Sequence, residues 1–174
     1  MVIKVLFFDT SALLKMFVEE NGTPNVKWLT SPDTKVSKSL HFVMNQQVCS
    51  EFAAKVEHFA KIGKISEERA DRIRRIFTHY YKVSYFRVIG QGIVSNTKSE
   101  ISIDAITEDL TLIRGKNDWD GLIFQSIVNA LAFMGPNPIL VTCDGPFGRK
   151  VSSKGYRVIN PEKQSLDEIR AAIV

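Results

Sequence analysis

Two kinds of apolar spacing divide this chain: short unbroken runs, and longer stretches in which apolar residues return every third or fourth place. The first short run, Val5-Leu6-Phe7-Phe8, is too brief for a buried helix and reads as an interior strand of a parallel sheet. It stops at Asp9-Thr10-Ser11, and a helix is expected over residues 12–19. Asn21-Gly22-Thr23-Pro24 ends that helix, residues 25–30 form a short second one, and Ser31-Pro32-Asp33 reads as the break after it. Ser39-Leu40-His41-Phe42-Val43-Met44 is the next strand. Asn45 then caps a helix whose apolar positions Val48, Phe52, Val56 and Phe59 keep helical spacing until Gly63. Another helix opens at Ser66-Glu67-Glu68, with Ile65 placed as a staple and Ile73, Ile76, Phe77 and Tyr80 on one face. Arg69, Arg72, Arg74 and Arg75 crowd the rest of it, either as solvated surface or as a contact for RNA backbone or a partner.

The second half is less regular. Residues 85–103 hold β-prone side chains without a readable period, interrupted by Gly90, Gly92 and the polar loop Ser95-Asn96-Thr97-Lys98-Ser99. Helices are expected over residues 104–113 and, apolar on most sides, over residues 122–134. Ile139-Leu140-Val141-Thr142-Cys143 is a second short interior strand, and like the first it ends at an aspartate, Asp144. Tyr156-Arg157-Val158-Ile159 makes the last strand, and Ser165 with Glu168 forms a capping box for a terminal helix. Strands alternating with helices imply a mostly parallel central sheet with helices on both faces, an α/β fold formed as one domain over residues 1–174.

Composition supports that reading: 44% hydrophobic and 24% charged residues suit one compact domain with a sizeable core. The formal net charge of +4 favours the approach of a polyanion but is too small to identify one. Cys49 and Cys143 stand far apart without a Cys/His cluster, so neither zinc nor a disulfide framework is indicated, and a reducing cytoplasm is expected. The first apolar run is interrupted by Asp9 too early for a signal peptide or a membrane span.

The candidate chemistry lies in carboxylates. Asp9 and Asp144 both come directly after apolar strands, and the carboxyl ends of parallel strands border the crevice where α/β sheets bind ligands. Asp9 has a second reading as the cap of its helix, since Asp is a favoured N-cap. Glu51, in the second turn of the Asn45-capped helix, and Asp120, at the start of the apolar helix over residues 122–134, can reach the same side of the sheet. Four acids in one cleft repel one another unless cations neutralise them, and oxygen-only donors suit Mg²⁺ or Mn²⁺, which can serve phosphodiester hydrolysis. Asp118 lies two residues before Asp120, on a different side if both are helical, and reads as an exposed loop acid or a supporting one. His41, His58 and His79 sit on or near apolar stripes and read as packed or surface residues rather than ligands. No G-x-S-x-G, P-loop or G-x-G-x-x-G is present.

Taken in order, Phe8-Asp9-Thr10-Ser11-Ala12-Leu13-Leu14-Lys15, Cys49-Ser50-Glu51-Phe52, Asp120-Gly121-Leu122-Ile123, and Val141-Thr142-Cys143-Asp144 ahead of Gly155-Tyr156-Arg157-Val158-Ile159 resemble a PIN-domain ribonuclease, in particular the toxins of VapBC-type toxin–antitoxin pairs. The resemblance covers most of the chain. It implies a three-layer α/β/α fold and Mg²⁺- or Mn²⁺-dependent cleavage of RNA, with metal-site acids at Asp9, Glu51, Asp120 and Asp144 and supporting hydroxyls at Thr10, Ser11 and Thr142. It also brings the expectation of a small antitoxin partner, a homodimer and a cytoplasmic protein free of any membrane. Gly121 replaces a frequent alanine of that pattern, and residues 85–103 do not align with it. Two other functions compete. A haloacid-dehalogenase-type phosphatase needs a second aspartate where Ser11 stands, and a PIN-like module that only binds RNA or protein needs no intact set of four acids.

Overall fold

In the computed structural model, which describes residues 4–89 and 138–174, five strands form one sheet: β1 (Lys4–Phe8), β2 (Leu40–Asn45), β3 (Phe86–Ile89), β4 (Ile139–Val141) and β5 (Arg157–Ile159). Seven helices accompany them among the described residues: α1 (Thr10–Leu14), α2 (Thr23–Leu29), α3 (Pro32–Ser37), α4 (Gln46–Lys61), α5 (Glu67–Lys82), α6 (Gly145–Ser152) and α7 (Leu166–Ala172). The fold is three-layer α/β/α, and each of the four described strand pairs is parallel.

The spatial order β3-β2-β1-β4-β5 puts β1 in the centre. From β1 the chain winds through β2 to β3, then resumes on the other side of β1 with β4 and β5, so the winding reverses between β1 and β4. In open parallel sheets this reversal leaves a crevice beyond the carboxyl ends of the two strands, because the segments leaving them depart to different sides.

β1 can be central because it is apolar on both faces: Val5, Leu6, Phe7 and Phe8 are all buried. Phe8 meets Phe42 of β2 and Phe86 of β3 edge-on, with ring centroids 5.4 and 5.3 Å apart. Side chains of this size contribute about 1.5–3 kcal/mol each when buried, and the three rings tie one half of the sheet together. Caps act where the sequence places them. Val48 N donates to Asn45 Oδ1 at 2.8 Å, Arg69 N donates to Ser66 Oγ at 3.2 Å, and Ser165 and Glu168 satisfy each other's backbone N–H groups.

Two local expectations are corrected, and one helix is added. The helix expected over residues 12–19 is α1, which ends at Leu14. Its backbone tightens there into i→i−3 bonds, Met16 N to Leu13 O at 3.1 Å and Phe17 N to Leu14 O at 3.0 Å. Ser31-Pro32-Asp33 is not a break but the start of α3, with Ser31 capping Thr34 N and Pro32 in the first turn. A helix also begins directly after Asp144, again with a proline, Pro146, in its first turn. In both places proline occupies the one part of a helix where its missing N–H costs nothing. The helices expected over residues 104–113 and 122–134, together with Asp118 and Asp120, lie outside the described residues.

Candidate functional site

β1 ends with Phe8 opposite Val141 of β4, and the pairing runs one step further as Asp9 N donates to Val141 O at 3.0 Å. Asp9 therefore stands at the reversal between β1 and β4, with only 7% of its surface exposed. It holds the N-cap position of α1 in extended backbone, yet its side chain makes no capping bond. The carboxylate turns across the strand ends instead. Oδ2 accepts from Ser11 Oγ at 2.7 Å and from Thr142 Oγ1 at 2.8 Å. Each hydroxyl is aligned by the main chain, since Ser11 Oγ accepts from Cys143 N at 2.9 Å and Thr142 Oγ1 from Asp144 N at 3.0 Å. A backbone N–H thus donates to each hydroxyl, and the two hydroxyls, 3.2 Å from each other, both reach the same Asp9 oxygen.

Glu51 and Asp144 are held differently. Glu51 projects half-buried from the second turn of α4, and its Oε2 accepts from Thr10 Oγ1 at 2.7 Å. Thr10 is buried at the start of α1, and α1 packs on α4, so this bond ties two helices beside Asp9. Asp144 is exposed, and its Oδ1 caps α6 by accepting from Phe147 N at 2.8 Å. α6 lies close over β4 and β5 because Gly148 has no Cβ: one there would stand 3.3 Å from Val158 Cγ1 and 3.4 Å from Thr142 Cγ2. The hydroxyl that holds Asp9 is thereby packed from the α6 side.

Each of these three acids has one oxygen fixed by a donor of the chain and a second oxygen with no donor among the described residues. Oxygen donors of this kind suit a hard divalent cation. Among the described residues, however, no group of three or more His, Cys, Asp or Glu side chains is gathered to hold a metal ion, and the fourth expected acid, Asp120, lies outside them. His41, His58 and His79 are exposed. Both cysteines are free thiols, and burial pushes the Cys143 thiol up to about 12 and the Cys49 thiol up to about 11.

Sequence reasoning assigned no role to Lys15, which is 3% exposed. Its Nζ lies 2.6 Å from Glu162 and 3.1 Å from Glu20, and Glu20 also pairs with Lys64. Burial works against the charge on Lys15, but the bonds to Glu162 and Glu20 outweigh it and raise its pKa above 10.5. The lysine therefore fastens the end of α1 to the turn after β5. A second clamp lies beside it. Gly22 adopts φ 82°, and a Cβ there would stand 2.9 Å from the Pro161 backbone, so the start of α2 closes on that same turn. The sequence signal for Lys15 is a lone charge in the apolar run Ala12-Leu13-Leu14-Lys15-Met16-Phe17.

Among the described residues no helix is long and apolar enough to cross a membrane. The chain matches no protein-family model and no curated protein.

Proposed function

We propose that this chain is a metal-dependent ribonuclease whose active site is the crevice beyond β1 and β4. The observation that carries the reading is Asp9, a buried carboxylate at the winding reversal, held through one oxygen by Ser11 and Thr142 and relieved of capping duty. That position, the carboxyl edge at the winding reversal, is where open parallel sheets bind ligands. Asp9, Glu51 and Asp144, joined by Asp120, would hold Mg²⁺ or Mn²⁺, which when bound supplies an activated water and stabilises charge on the leaving oxygen of a phosphodiester. The chain's own part is orientation. Ser11 and Thr142 hold one Asp9 oxygen and leave the other for a cation, Thr10 does the same for Glu51, and the α6 cap leaves one Asp144 oxygen unspent.

The resemblance to toxin ribonucleases extends the proposal to a small antitoxin partner, a homodimer and a cytoplasmic setting, in which Cys49 and Cys143 stay reduced. The test is incubation of single-stranded RNA with the protein in Mn²⁺ and in EDTA. Cleavage in Mn²⁺ alone, leaving a 5′-phosphate and a 3′-hydroxyl, is the expected result. Activity that persists in EDTA, or a 2′,3′-cyclic phosphate product, contradicts the reading. One observation favours a second reading, a module that binds RNA or protein without cutting: the described acids do not gather in a set of three. Failure to bind Mn²⁺ would support that alternative.

A further inference from the structure

α5 buries one face and presents a different chemistry on the other. Ala70 and Ile73 are buried, and Phe77 stacks on Phe52 of α4 with ring centroids 4.4 Å apart. On the opposite side Arg72, Arg75, His79 and Lys82 recur at intervals of three, four and three residues, all exposed. The helix's other two arginines already have partners. Arg69 Nη2 donates to Phe17 O at 3.0 Å, and Arg74 pairs with Asp71. Arg72, Arg75 and Lys82 make no ion pair among the described residues. Arg75, His79 and Lys82 border an open depression of about 620 Å³, together with Thr78 and the Arg74–Asp71 pair, in which Asp71 also feels the charge of Arg75.

With a rise of ~1.5 Å per residue, the stripe places a cationic or titratable side chain every ~4.5–6 Å along ~15 Å of helix. Evenly spaced cations at this interval suit a repeating anion. A protein partner would be met by a different surface, because interface cores are rich in aromatic residues and poor in lysine, and this stripe contains no apolar member.

We infer that Arg72, Arg75 and Lys82 form a docking track for the phosphates of single-stranded RNA along the outer face of α5. The polyanion chemistry comes from the stripe, whereas the choice of RNA rests on the nuclease reading. The three side chains are exposed, so their replacement is expected to leave folding intact, which a thermal melt of the variant checks.

The test is binding of a labelled oligouridylate of about 20 nucleotides, long enough for more than one contact site, to the full chain in EDTA over a range of salt. The triple variant Arg72→Gln/Arg75→Gln/Lys82→Gln is compared with an equal-charge control, Lys55→Gln/Lys150→Gln/Lys154→Gln. Loss of three phosphate contacts should flatten the slope of log K against log salt by about 2 and weaken low-salt binding by about tenfold or more. The control should change far less. Equal losses in both triples would reduce the effect to net charge, and an unchanged slope in the stripe variant would assign the face to another partner or to none; either result overturns the track. If the wild type binds with the expected slope and never cuts RNA in Mn²⁺, the nuclease reading fails while the track stands.

Discussion

Asp9 and Asp144 follow neighbouring parallel strands and each precedes a helix, Asp9 directly after β1 and Asp144 three residues beyond the end of β4, but the fold uses them in opposite ways. Asp144 is exposed and caps α6 through Phe147 N. Asp9 is 7% exposed, stands at a cap position without capping, and accepts two hydroxyl protons from across the strand ends. The difference comes from place in the sheet. β1 is central, so its carboxyl end is covered by neighbours that can reach the Asp9 carboxylate, whereas α6 opens toward solvent and its first turn offers Asp144 the nearest donor. An aspartate after a strand is thus a cap by default and becomes something else only when partners distant in sequence claim its oxygens.

Breaking the pair by charge should separate the two most strongly. Asp9→Asn is expected to lower RNA cleavage by about a thousandfold or more, since metal positioning carries most of the rate in such sites. Asp144→Asn, which keeps a capping oxygen, should lose about ten- to a hundredfold with its melting temperature nearly unchanged. Initial rates of both variants at saturating Mn²⁺, alongside thermal melts, check this, and equal losses would erase the distinction.

Thr142→Val removes a donor from Asp9 and an acceptor from Asp144 N in one step. Unsatisfied buried polar groups are costly, and a loss of about 2 kcal/mol in urea unfolding is expected. A smaller effect, about 1 kcal/mol, is expected for Asp144→Ala, the ordinary value of an N-cap. If Asp144→Ala costs nothing, the cap does not contribute and the comparison loses one side.

Acidity sets the smallest effect. The hydrogen bond from Lys64, helped by that from Lys15, holds the Glu20 carboxyl below 4.5. A depressed folded-state pKa gives stability that is present above 4.5 and is lost as pH falls through the lower folded value. The urea midpoint should therefore drop on acidification below 4.5, and Glu20→Gln should flatten that drop. Lys15, with its pKa raised above 10.5, has the opposite sign: its contribution is complete below that value and disappears only in stronger alkali.

How much of this was legible in the sequence depended on the distance over which each interaction acts. The strands around Phe7, Phe42 and Leu140 and the caps at Asn45, Ser66 and Ser165 are set by neighbours a few residues away, and all are where the sequence put them. Pro32 misled because proline both breaks helices and begins them, and only the ordered first turn distinguishes the two. The site acids Asp9, Glu51 and Asp144 were legible as residue types at strand and helix ends. The resemblance also named the hydroxyls Thr10, Ser11 and Thr142, but which acid each one holds was not legible, because Thr142 reaches Asp9 across 133 residues and Thr10 reaches Glu51 across 41. Lys15 was illegible for the same reason, since a buried lysine cannot be told from a solvated one until Glu20 and Glu162 are brought to it.

The central claim, that Asp9 is held for a metal rather than for the fold, is tested most directly by calorimetric titration of Mn²⁺ into the RNA-free protein and into Asp9→Asn. The expected result is saturable binding by the wild type that weakens at least about tenfold in Asp9→Asn, with both proteins folded, as the loss of one coordinating carboxylate requires. No binding by the wild type, or equal affinity in the two proteins, would contradict it.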